Sequence, residues 1–387
     1  MNYEAMTPTP ISRLPDVGTT IFTVMSALAQ QHGAVNLGQG FPDFDCDPLL
    51  VTQVTEAMRA GLNQYPPMAG VPLLRQAVSD KIARQHGRRY DPDTEITITA
   101  GATQALLTAV LALVHPGDEV IVLDPCYDSY VPSIQLAGAR AVRVPLDAAT
   151  LAPDFDALQA AIGPRTRALM INTPHNPSGR VWTVAERERL AAILAPTPVL
   201  LISDEVYEHM VFDRRVHASA SAHAALAARS VVVSSFGKTF HVTGWKVGYV
   251  AAPASLMAEF RKVHQFNVFT VNTPMQHGLA HYLADPTHYE GLSDFYQRKR
   301  DLFRSGLANT RFELLPCEGS YFQCVDYSAL SDLDDEAFCR WLTTEIGVAA
   351  IPLSPFCERA PSRRIARFCF AKRDDTLRLA LDRLSAL

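Results

Sequence analysis

The stretch Glu95-Ile96-Thr97-Ile98-Thr99-Ala100, followed at once by Gly101, decides the class of fold. Its β-branched residues are typical of a strand, and the apolar residues from Ala102 to Val114 predict a helix that begins after the glycine. Pro116-Gly117-Asp118 then predicts a turn, and Glu119 to Leu123 predicts the next strand. A strand, a helix and a second strand in succession are typical of an α/β fold.

The same alternation continues to residue 251. Further strands are predicted at Ala141 to Val144, Ala168 to Asn172, Val199 to Ser203, Val231 to Ser234 and Val247 to Ala251, with helices near 128–138, 154–162 and 183–195. Because these strands are apolar on both faces, we expect a mainly parallel sheet covered by helices on both sides.

The chain after residue 254 has a different pattern. Helices are predicted at 254–266, 273–284 and 286–308, and then a small α+β unit with strands at Glu313 to Leu315, Tyr321 to Val325, Val348 to Ile351 and Ile365 to Phe370, and helices at 334–346 and 374–385. The segment before Asp45 is expected to cross over and pack on this unit. We therefore predict a large domain at 45–290 and a small domain formed by 1–44 together with 291–387.

Composition excludes several classes of protein. With 35 basic and 40 acidic side chains, the chain lacks the positive field that nucleic-acid binding requires, so no nucleic-acid partner is expected. No segment approaches the roughly 18 apolar residues that cross a membrane. Seven cysteines form no CxxC pair, and their odd number argues against a secreted disulfide framework. We expect a cytoplasmic enzyme without a membrane partner.

Polar residues that follow predicted strands are the candidates for chemistry, because ligands of such sheets bind beyond the carboxyl ends of the strands. Lys238, Asp204 and Asn176 each follow an apolar strand, and Arg367 interrupts one. Taken singly, each has an ordinary explanation as a solvated lysine, a helix cap, a turn residue or an edge-strand charge.

Together these residues match the requirements of a pyridoxal 5'-phosphate site. A lysine amine must condense with the cofactor's aldehyde, which Lys238 can do, and a carboxylate such as Asp204 must keep the pyridine nitrogen protonated. Tyr207 and Asn176 can bind the ring hydroxyl, and Arg367 can hold a substrate α-carboxylate bidentately. The phosphate requires backbone N–H groups at a helix N-terminus and polar or cationic partners, for which the candidates are Gly101, Ala102, Thr103, Ser235 and Lys246.

Four motifs show a resemblance to a known family over nearly the whole chain. Ser234-Ser235-Phe236-Gly237-Lys238 with Thr243-Gly244-Trp245-Lys246-Val247-Gly248 resembles the lysine signature of class I and II aminotransferases of fold type I, and this pairing is highly specific. Asn176-Pro177-Ser178-Gly179 and Asp204-Glu205-Val206-Tyr207 are similar to two further family elements. Asn36 to Phe44, with His175 and Arg367, resembles the branch that holds methionine aminotransferase and kynurenine–oxoglutarate aminotransferase (glutamine transaminase K).

The resemblance implies a fold and further roles. It implies a large domain built on a seven-stranded, mainly parallel sheet and a small α+β domain. Lys238 would also move the substrate proton, Tyr127 would stack on the pyridine ring, and Gly40, Phe22 and Phe269 would contact the substrate. Tyr65 would reach the phosphate of the neighbouring subunit, which implies a homodimer with shared active sites. Lys246 departs from the arginine of most relatives, although this branch commonly has lysine there.

The expected reaction is a ping-pong transfer of the α-amino group from an amino acid to a 2-oxo acid. Aspartate-specific relatives hold the distal carboxylate with a second arginine, whereas Val263 to Gln297 contains no lysine or arginine. The distal carboxylate of a bound dicarboxylic amino acid would therefore be buried without a cationic partner. We therefore expect uncharged thioether or aromatic donors such as methionine, phenylalanine, tyrosine, kynurenine or glutamine.

Three alternatives remain at the level of sequence. A pyridoxal-phosphate β-lyase acting on cystathionine or cysteine S-conjugates would share Lys238, Asp204 and Arg367. A nicotinamide-dependent oxidoreductase would suit the alternating pattern, but no GxGxxG follows a strand. A regulatory protein on the same fold would normally carry an added DNA-binding domain. For metals, His277 and His281 have helical metal-site spacing without an HExxH motif, so we expect no metal.

Overall fold

Three β-sheets organise the computed structural model, which describes residues 11–147, 149–359, 362–385 and 387. The strands are β1 (Val35–Asn36), β2 (Ile96–Thr99), β3 (Glu119–Asp124), β4 (Arg140–Pro145), β5 (Thr166–Asn172), β6 (Leu200–Asp204), β7 (Ser230–Ser235), β8 (Gly248–Ala251), β9 (Glu313–Leu314), β10 (Phe322–Asp326), β11 (Val348–Ala349), β12 (Ile351–Pro352) and β13 (Ile365–Cys369).

Helices fill most of the intervals between the strands. They are α1 (Ile21–Gln31), α2 (Pro48–Arg59), α3 (Pro72–His86), α4 (Gly101–Leu113), α5 (Tyr130–Leu136), α6 (Phe155–Ala161), α7 (Val184–Leu194), α8 (Ala224–Ala227), α9 (Phe236–Thr239), α10 (Ala254–Asn267), α11 (Thr273–Leu283), α12 (Thr287–Glu290), α13 (Leu292–Leu307), α14 (Asp335–Trp341) and α15 (Asp374–Leu384). Among these helices none is long and apolar enough to cross a membrane.

The large sheet has seven strands in the order β2-β8-β7-β6-β5-β3-β4. All neighbours from β7 to β4 pair in parallel, and β8 runs antiparallel to both β7 and β2. Alternate residues of β3 enter two different cores, with Val120 and Val122 on the α4 side and Ile121 and Leu123 on the α6 and α7 side. Strands buried on both faces explain the continuous apolar runs, and the predicted mainly parallel α/β fold is confirmed.

The two smaller sheets join the ends of the chain. β12, β13, β10 and β9 form an antiparallel sheet in that order, while β1 pairs in parallel with β11 through Val35 opposite Val348. The N-terminal segment is therefore bonded to the C-terminal unit. The division into domains at 45 and 290 stays a prediction, and residues 1–10 of the predicted small domain lie outside the described residues.

Several predicted elements have different limits in the structure. The helix predicted at 286–308 is interrupted at Gly291 between α12 and α13, and the helix predicted at 334–346 ends in a π-helical turn at Leu342–Ile346. The strand predicted at Val348 to Ile351 is two strands, because β11 pairs with β1 whereas β12 pairs with β13. The periodicity of apolar residues could not reveal that change of partner.

Helices α2 and α11 pack so closely that one glycine is required between them. A Cβ added to Gly278 would lie 2.4 Å from Cγ2 of Val54 and 2.9 Å from its backbone nitrogen. The close approach brings the segment after α2 beside the segment before α11, where Tyr65 and Phe269 are found.

Candidate functional site

The carboxyl ends of the central strands meet at one cavity of about 320 Å³. Asn172 at the end of β5 lies opposite Asp204 at the end of β6 in the sheet register, and Ser235 ends β7. The cavity brings together all but two of the residues predicted from the sequence: Phe22, Gly40, Gly101, Ala102, Thr103, Tyr127, Asn176, Asp204, Tyr207, Ser235, Lys238, Lys246 and Arg367.

Asp204 is a buried carboxylate with few partners. Its Oδ2 accepts a hydrogen bond of 2.7 Å from the hydroxyl of Tyr130, and its Oδ1 lies 3.3 Å from the backbone nitrogen of Val206. Burial raises the pKa of Asp204 from 3.8 to about 6, against the opposing effect of the Tyr130 bond. A cation placed against this carboxylate would restore the charged form, which is the property that a pyridinium partner needs.

Lys238 lies in the short helix α9, directly after β7. Its Nζ is 3.0 Å from the carbonyl oxygen of Gly40 and 2.7 Å from the hydroxyl oxygen of Tyr321. Burial lowers the pKa of Lys238 from 10.5 to about 8. At that pKa the amine can lose its proton near neutral pH, as a nucleophile or a general base must.

Arg367 is buried in the middle of β13 with a vacant donor. Its Nη1 donates to Oδ1 of Asn176 over 2.6 Å, its Nη2 lies 3.3 Å from the carbonyl oxygen of Gly38, and its Nε has no partner among the residues that the structure describes. The guanidinium carbon lies 3.9 Å from the ring centroid of Phe322 and 5.3 Å from that of Phe22. An unpaired buried donor is costly, and a bidentate carboxylate would satisfy it.

A second group of residues in the cavity lining is suited to a phosphate. Helix α4 begins at Gly101 without a side-chain cap and without an acidic residue in its first turn, so its first N–H groups are available to an anion. Gly101 has a φ of +78°, and a Cβ there would lie 3.3 Å from Nζ of Lys246. Glycine is therefore needed both for the backbone conformation and for the approach of the lysine.

The charges of the cavity favour an anionic ligand. Lys238, Lys246 and Arg367 take part in none of the ion pairs found among the described residues, whereas Asp204 is the one carboxylate of the cavity lining. Three cations against one carboxylate, with a helix N-terminus beside them, fit a cofactor that carries a phosphate together with a substrate that carries a carboxylate.

Two predicted residues lie elsewhere in this chain. Tyr65 is 82% exposed, and its ring packs edge-on against the ring of Phe269 at 5.3 Å, where Phe269 is 43% exposed. Neither lines the cavity, although Phe269 was expected to line the substrate pocket. Phe266, at 86% exposure, lies one turn earlier on α10.

The structure adds residues that the sequence analysis did not single out. Tyr130 binds Asp204, Asn172 accepts a bond from the backbone of Asn176, and Tyr321 and Phe322 contact Lys238 and Arg367. Asn172 carried a signal, because it ends a predicted strand and starts the segment that contains Asn176. Nothing in the sequence pointed to Tyr130 or Tyr321, because each reaches the site from a neighbouring element.

Comparison with known proteins agrees with this geometry. The model of the family described as aminotransferase class I and II matches residues 32–384. The chain belongs to this family. The methionine aminotransferase of Escherichia coli (strain K12) is 53% identical over 379 residues, which cover 98% of each chain. Kynurenine–oxoglutarate transaminase 3 of Mus musculus is 33% identical, with 94% of this chain and 87% of that protein covered.

Solved structures give the same result. A methionine aminotransferase from Escherichia coli superposes with a TM-score of 0.97 at 52% identity, covering 98% of this chain and all of that chain. The N-succinyldiaminopimelate aminotransferase of Mycobacterium tuberculosis superposes with a TM-score of 0.94 at 43% identity, with 98% of this chain and 100% of that chain covered. The protein is a pyridoxal 5'-phosphate-dependent aminotransferase of fold type I, which acts on amino acids and 2-oxo acids.

Substitution of the buried carboxylate should change the pH dependence of stability. Because the pKa of Asp204 is raised from 3.8 to about 6, the native state binds more protons than the unfolded state in this range, and stability falls as the pH rises. In the cofactor-free protein at pH 8 the penalty is about 2–3 kcal/mol. We expect Asp204→Asn to be more stable than the wild type by about 2 kcal/mol at pH 8, with a gain that shrinks towards pH 4.

Urea unfolding of the cofactor-free chain between pH 4 and 8 measures this effect. The exposed Asp16 provides the control, because Asp16→Asn removes a carboxylate that is not buried. A gain for Asp204→Asn that does not vary with pH would contradict the account.

Proposed function

We propose that this aminotransferase uses Lys238, Asp204 and Tyr207 as its catalytic residues and prefers uncharged thioether or aromatic amino acids. The observation that carries the proposal is the partly buried amine of Lys238, which shares a cavity with the buried carboxylate of Asp204 and the buried guanidinium of Arg367. When bound, pyridoxal phosphate supplies an aldehyde for covalent attachment and an electron-withdrawing ring.

Asp204 would hold the ring nitrogen in its protonated form. Its carboxylate is short of partners, and Tyr130 orients one of its oxygens. Tyr127 would cover one face of the ring, while Asn176 and Tyr207 would bind the ring hydroxyl. Burial raises the pKa of Tyr207, so it would keep its proton at neutral pH and could donate it to the oxygen of the ring hydroxyl.

The phosphate would be held by the start of α4. The N–H groups of Gly101, Ala102 and Thr103 are free of side-chain caps, and Ser235 and Lys246 line the same part of the cavity. Lys246 acts as a point charge rather than as a bidentate fork, which still suits a phosphate oxygen.

The substrate would be oriented by its carboxylate. Arg367 has a free Nε beside an Nη group that already binds Asn176, so a carboxylate can add to the same planar fork. The backbone at Gly40 and the ring of Phe22 border that position. Lys238 would then remove the proton from the substrate Cα and give it up again within the same half-reaction. The amino group would remain on the enzyme between release of the first 2-oxo acid and binding of the second, which makes the reaction ping-pong.

Replacement of the lysine tests the catalytic assignment. Lys238→Ala should lower turnover at least about 10³-fold, because the attachment point and the base are both lost. Borohydride should no longer link the cofactor to the chain. Lys238→Arg keeps a cation in the cavity without a group that can condense, so it should be equally inactive. Turnover at the wild-type rate in either variant would refute the assignment.

The proposed substrate preference rests on the charge of the residues that would surround the side chain of the substrate. A depression of the surface shares Phe22 and Tyr127 with the cavity, and its lining, as far as the described residues form it, contains Asp16 and Asp128 but no lysine or arginine. An acidic substrate side chain would meet carboxylates there without a cationic partner, which is unfavourable. The relatives named for methionine and kynurenine support the same preference.

A panel of amino donors tests the preference. We expect kcat/KM for methionine, phenylalanine and kynurenine to exceed that for aspartate by at least about 10²-fold, because the unpaired carboxylate is penalised. Phe22→Ala should lower kcat/KM for phenylalanine about tenfold and leave that for alanine nearly unchanged. N-succinyl-diaminopimelate belongs in the panel, since a relative is named for it. The preference is wrong if aspartate or that compound is the best donor.

We also propose a homodimer with shared active sites. Tyr65, Phe266 and Phe269 are exposed aromatic side chains on neighbouring segments, together with Met58 and Leu62, and such a patch is typical of a protein interface. Through the partner, Tyr65 would reach the phosphate and Phe269 the substrate pocket. This arrangement would account for their distance from the cavity of their own chain.

Mixed dimers test this arrangement. Tyr65→Ala and Lys238→Ala chains are each expected to be impaired, but a hybrid dimer would have one site with both residues intact. An equal mixture, unfolded and refolded together, should therefore recover about a quarter of the wild-type sites. Separately refolded homodimers that are mixed afterwards are the control. A mixture that recovers no activity would show that each site belongs to one chain.

The cysteines support a reducing compartment. All seven are free thiols, and five of them are buried. We propose a cytoplasmic enzyme on this basis, since secreted proteins of this cysteine content usually form disulfides.

A further inference from the structure

The hydroxyl of Tyr321 is the nearest polar group to the amine of Lys238. The tyrosine directly precedes β10, its ring is fully buried, and its oxygen lies 2.7 Å from Nζ. The same hydroxyl donates to the carbonyl oxygen of Gly40, which is the second acceptor of the lysine, at 3.0 Å. Lys238, Tyr321 and Gly40 therefore form a closed group of three hydrogen bonds.

The group controls how the amine is presented. An amino nitrogen has three positions besides Cε, and here two of them are directed to Tyr321 and Gly40. In the ammonium form the third position holds a proton, and in the neutral amine it holds the lone pair. Among the described residues no other hydrogen-bond partner of this nitrogen is found, so the third position is left for the cavity that Lys238 lines.

Tyr321 keeps its proton throughout. Burial raises its pKa well above 10, so the hydroxyl remains a donor to Gly40 and an acceptor from Lys238. Its ring is held by neighbouring aromatics, with centroid distances of 5.1 Å to Tyr207 and 4.8 Å to Phe322. The position of the oxygen is therefore set by packing rather than by the lysine.

We propose that Tyr321 is a positioning residue, which holds the amine of Lys238 in the orientation that transamination requires. This proposal rests on the proposed catalytic role of Lys238. When Lys238 is not attached to the cofactor, the hydroxyl of Tyr321 and the carbonyl of Gly40 bind its two hydrogens. The remaining position of the amine then faces the substrate Cα–H bond. The proton removed from Cα completes the ammonium, and the same two acceptors stabilise it until the proton is returned.

Other charged or titratable groups face the lysine from the elements packed around it, among them Tyr207, whose ring centroid lies 5.6 Å from Nζ. Asp204 lies on β6, Lys246 follows α9 and precedes β8, and Arg367 and Cys369 lie on β13. The two cations oppose a proton on Lys238, whereas Asp204 favours it. Because these groups stay in place in a Tyr321 variant, a change in the amine's titration would report the lost hydroxyl.

The test measures the amine itself. The full-length protein is loaded with pyridoxamine 5'-phosphate, which leaves Lys238 free, and the rate of carbamylation of Lys238 by cyanate is followed by mass spectrometry as a function of pH. In Tyr321→Phe the ammonium of Lys238 loses one hydrogen-bond acceptor. The midpoint of the curve of carbamylation rate against pH should therefore fall by about one pH unit. Tyr296→Phe is the control, because that buried hydroxyl has no partner in the described part of the chain and its ring lies 5.8 Å from the ring of Tyr321.

Single-turnover kinetics provide the second measurement. With methionine, Tyr321→Phe should slow the first half-reaction about tenfold at saturation, with amino-acid affinity unchanged within about twofold. The α-deuterium isotope effect should rise, because proton transfer becomes more fully rate-limiting. If Tyr321→Phe does not fold, 3-fluorotyrosine at position 321 keeps the ring and weakens the acceptor, and a smaller fall in the midpoint is expected.

The outcomes separate this inference from the proposed function. If Lys238→Ala is inactive while Tyr321→Phe matches the wild type in midpoint, rate and isotope effect, the positioning role is wrong and the catalytic lysine stands. A midpoint that rises towards 10.5, as entry of water would cause, also overturns it, as does an equal change in Tyr296→Phe. If Lys238→Ala retains turnover, the proposed function fails first.

Discussion

Burial of charge without a protein counter-ion is the constraint on which this structure depends. Arg367 is buried and Lys238 partly buried at one cavity, which the exposed Lys246 also lines, and none of the three belongs to the ion pairs among the described residues. Desolvation is the largest cause that lowers the pKa of Lys238 and raises that of Asp204, so the charged form of each is disfavoured until an oppositely charged ligand arrives. The free energy that folding gives up here is returned when cofactor and substrate bind.

A network of buried ion pairs and hydrogen bonds lies beside the cavity. Asp204 and Tyr207 line the cavity. Glu205 and Glu208 belong to the same segment of the chain, and both are buried outside the cavity lining. Glu208 pairs with Lys81 at 2.8 Å and accepts bonds from Ser234 and Tyr249, so it connects the ends of β6, β7 and β8 to α3. Removal of one partner from such a buried pair is strongly destabilising, so the network holds the strand ends in place.

The sequence was sufficient for the parts of the site that depend on the order of the strands. Apolar runs located β5, β6 and β7, and the residues that follow them, such as Asp204 and Lys238, meet at the cavity because parallel strands end at one edge. The direction of β8 and the partners of Tyr130 and Tyr321 could not be predicted, because they depend on which elements become neighbours. Tyr65 and Phe269 show the same limit, since their surroundings in one chain do not include the cavity.

The position of the reactive amine is finally set by the small sheets rather than by α9, the helix that carries the lysine. The carbonyl of Gly40 belongs to a segment that is bonded to β13 through Leu37 and to Lys372 through Phe41. A Cβ at Gly40 would lie 2.9 Å from the ring of Phe322, so this segment lies directly on β10. Tyr321 and Arg367 come from the same sheet, with Cys324 of β10 opposite Arg367 of β13. One antiparallel pair therefore positions both the acceptor of the lysine and the candidate carboxylate clamp, and any shift of the small sheet against the large one would move the two together.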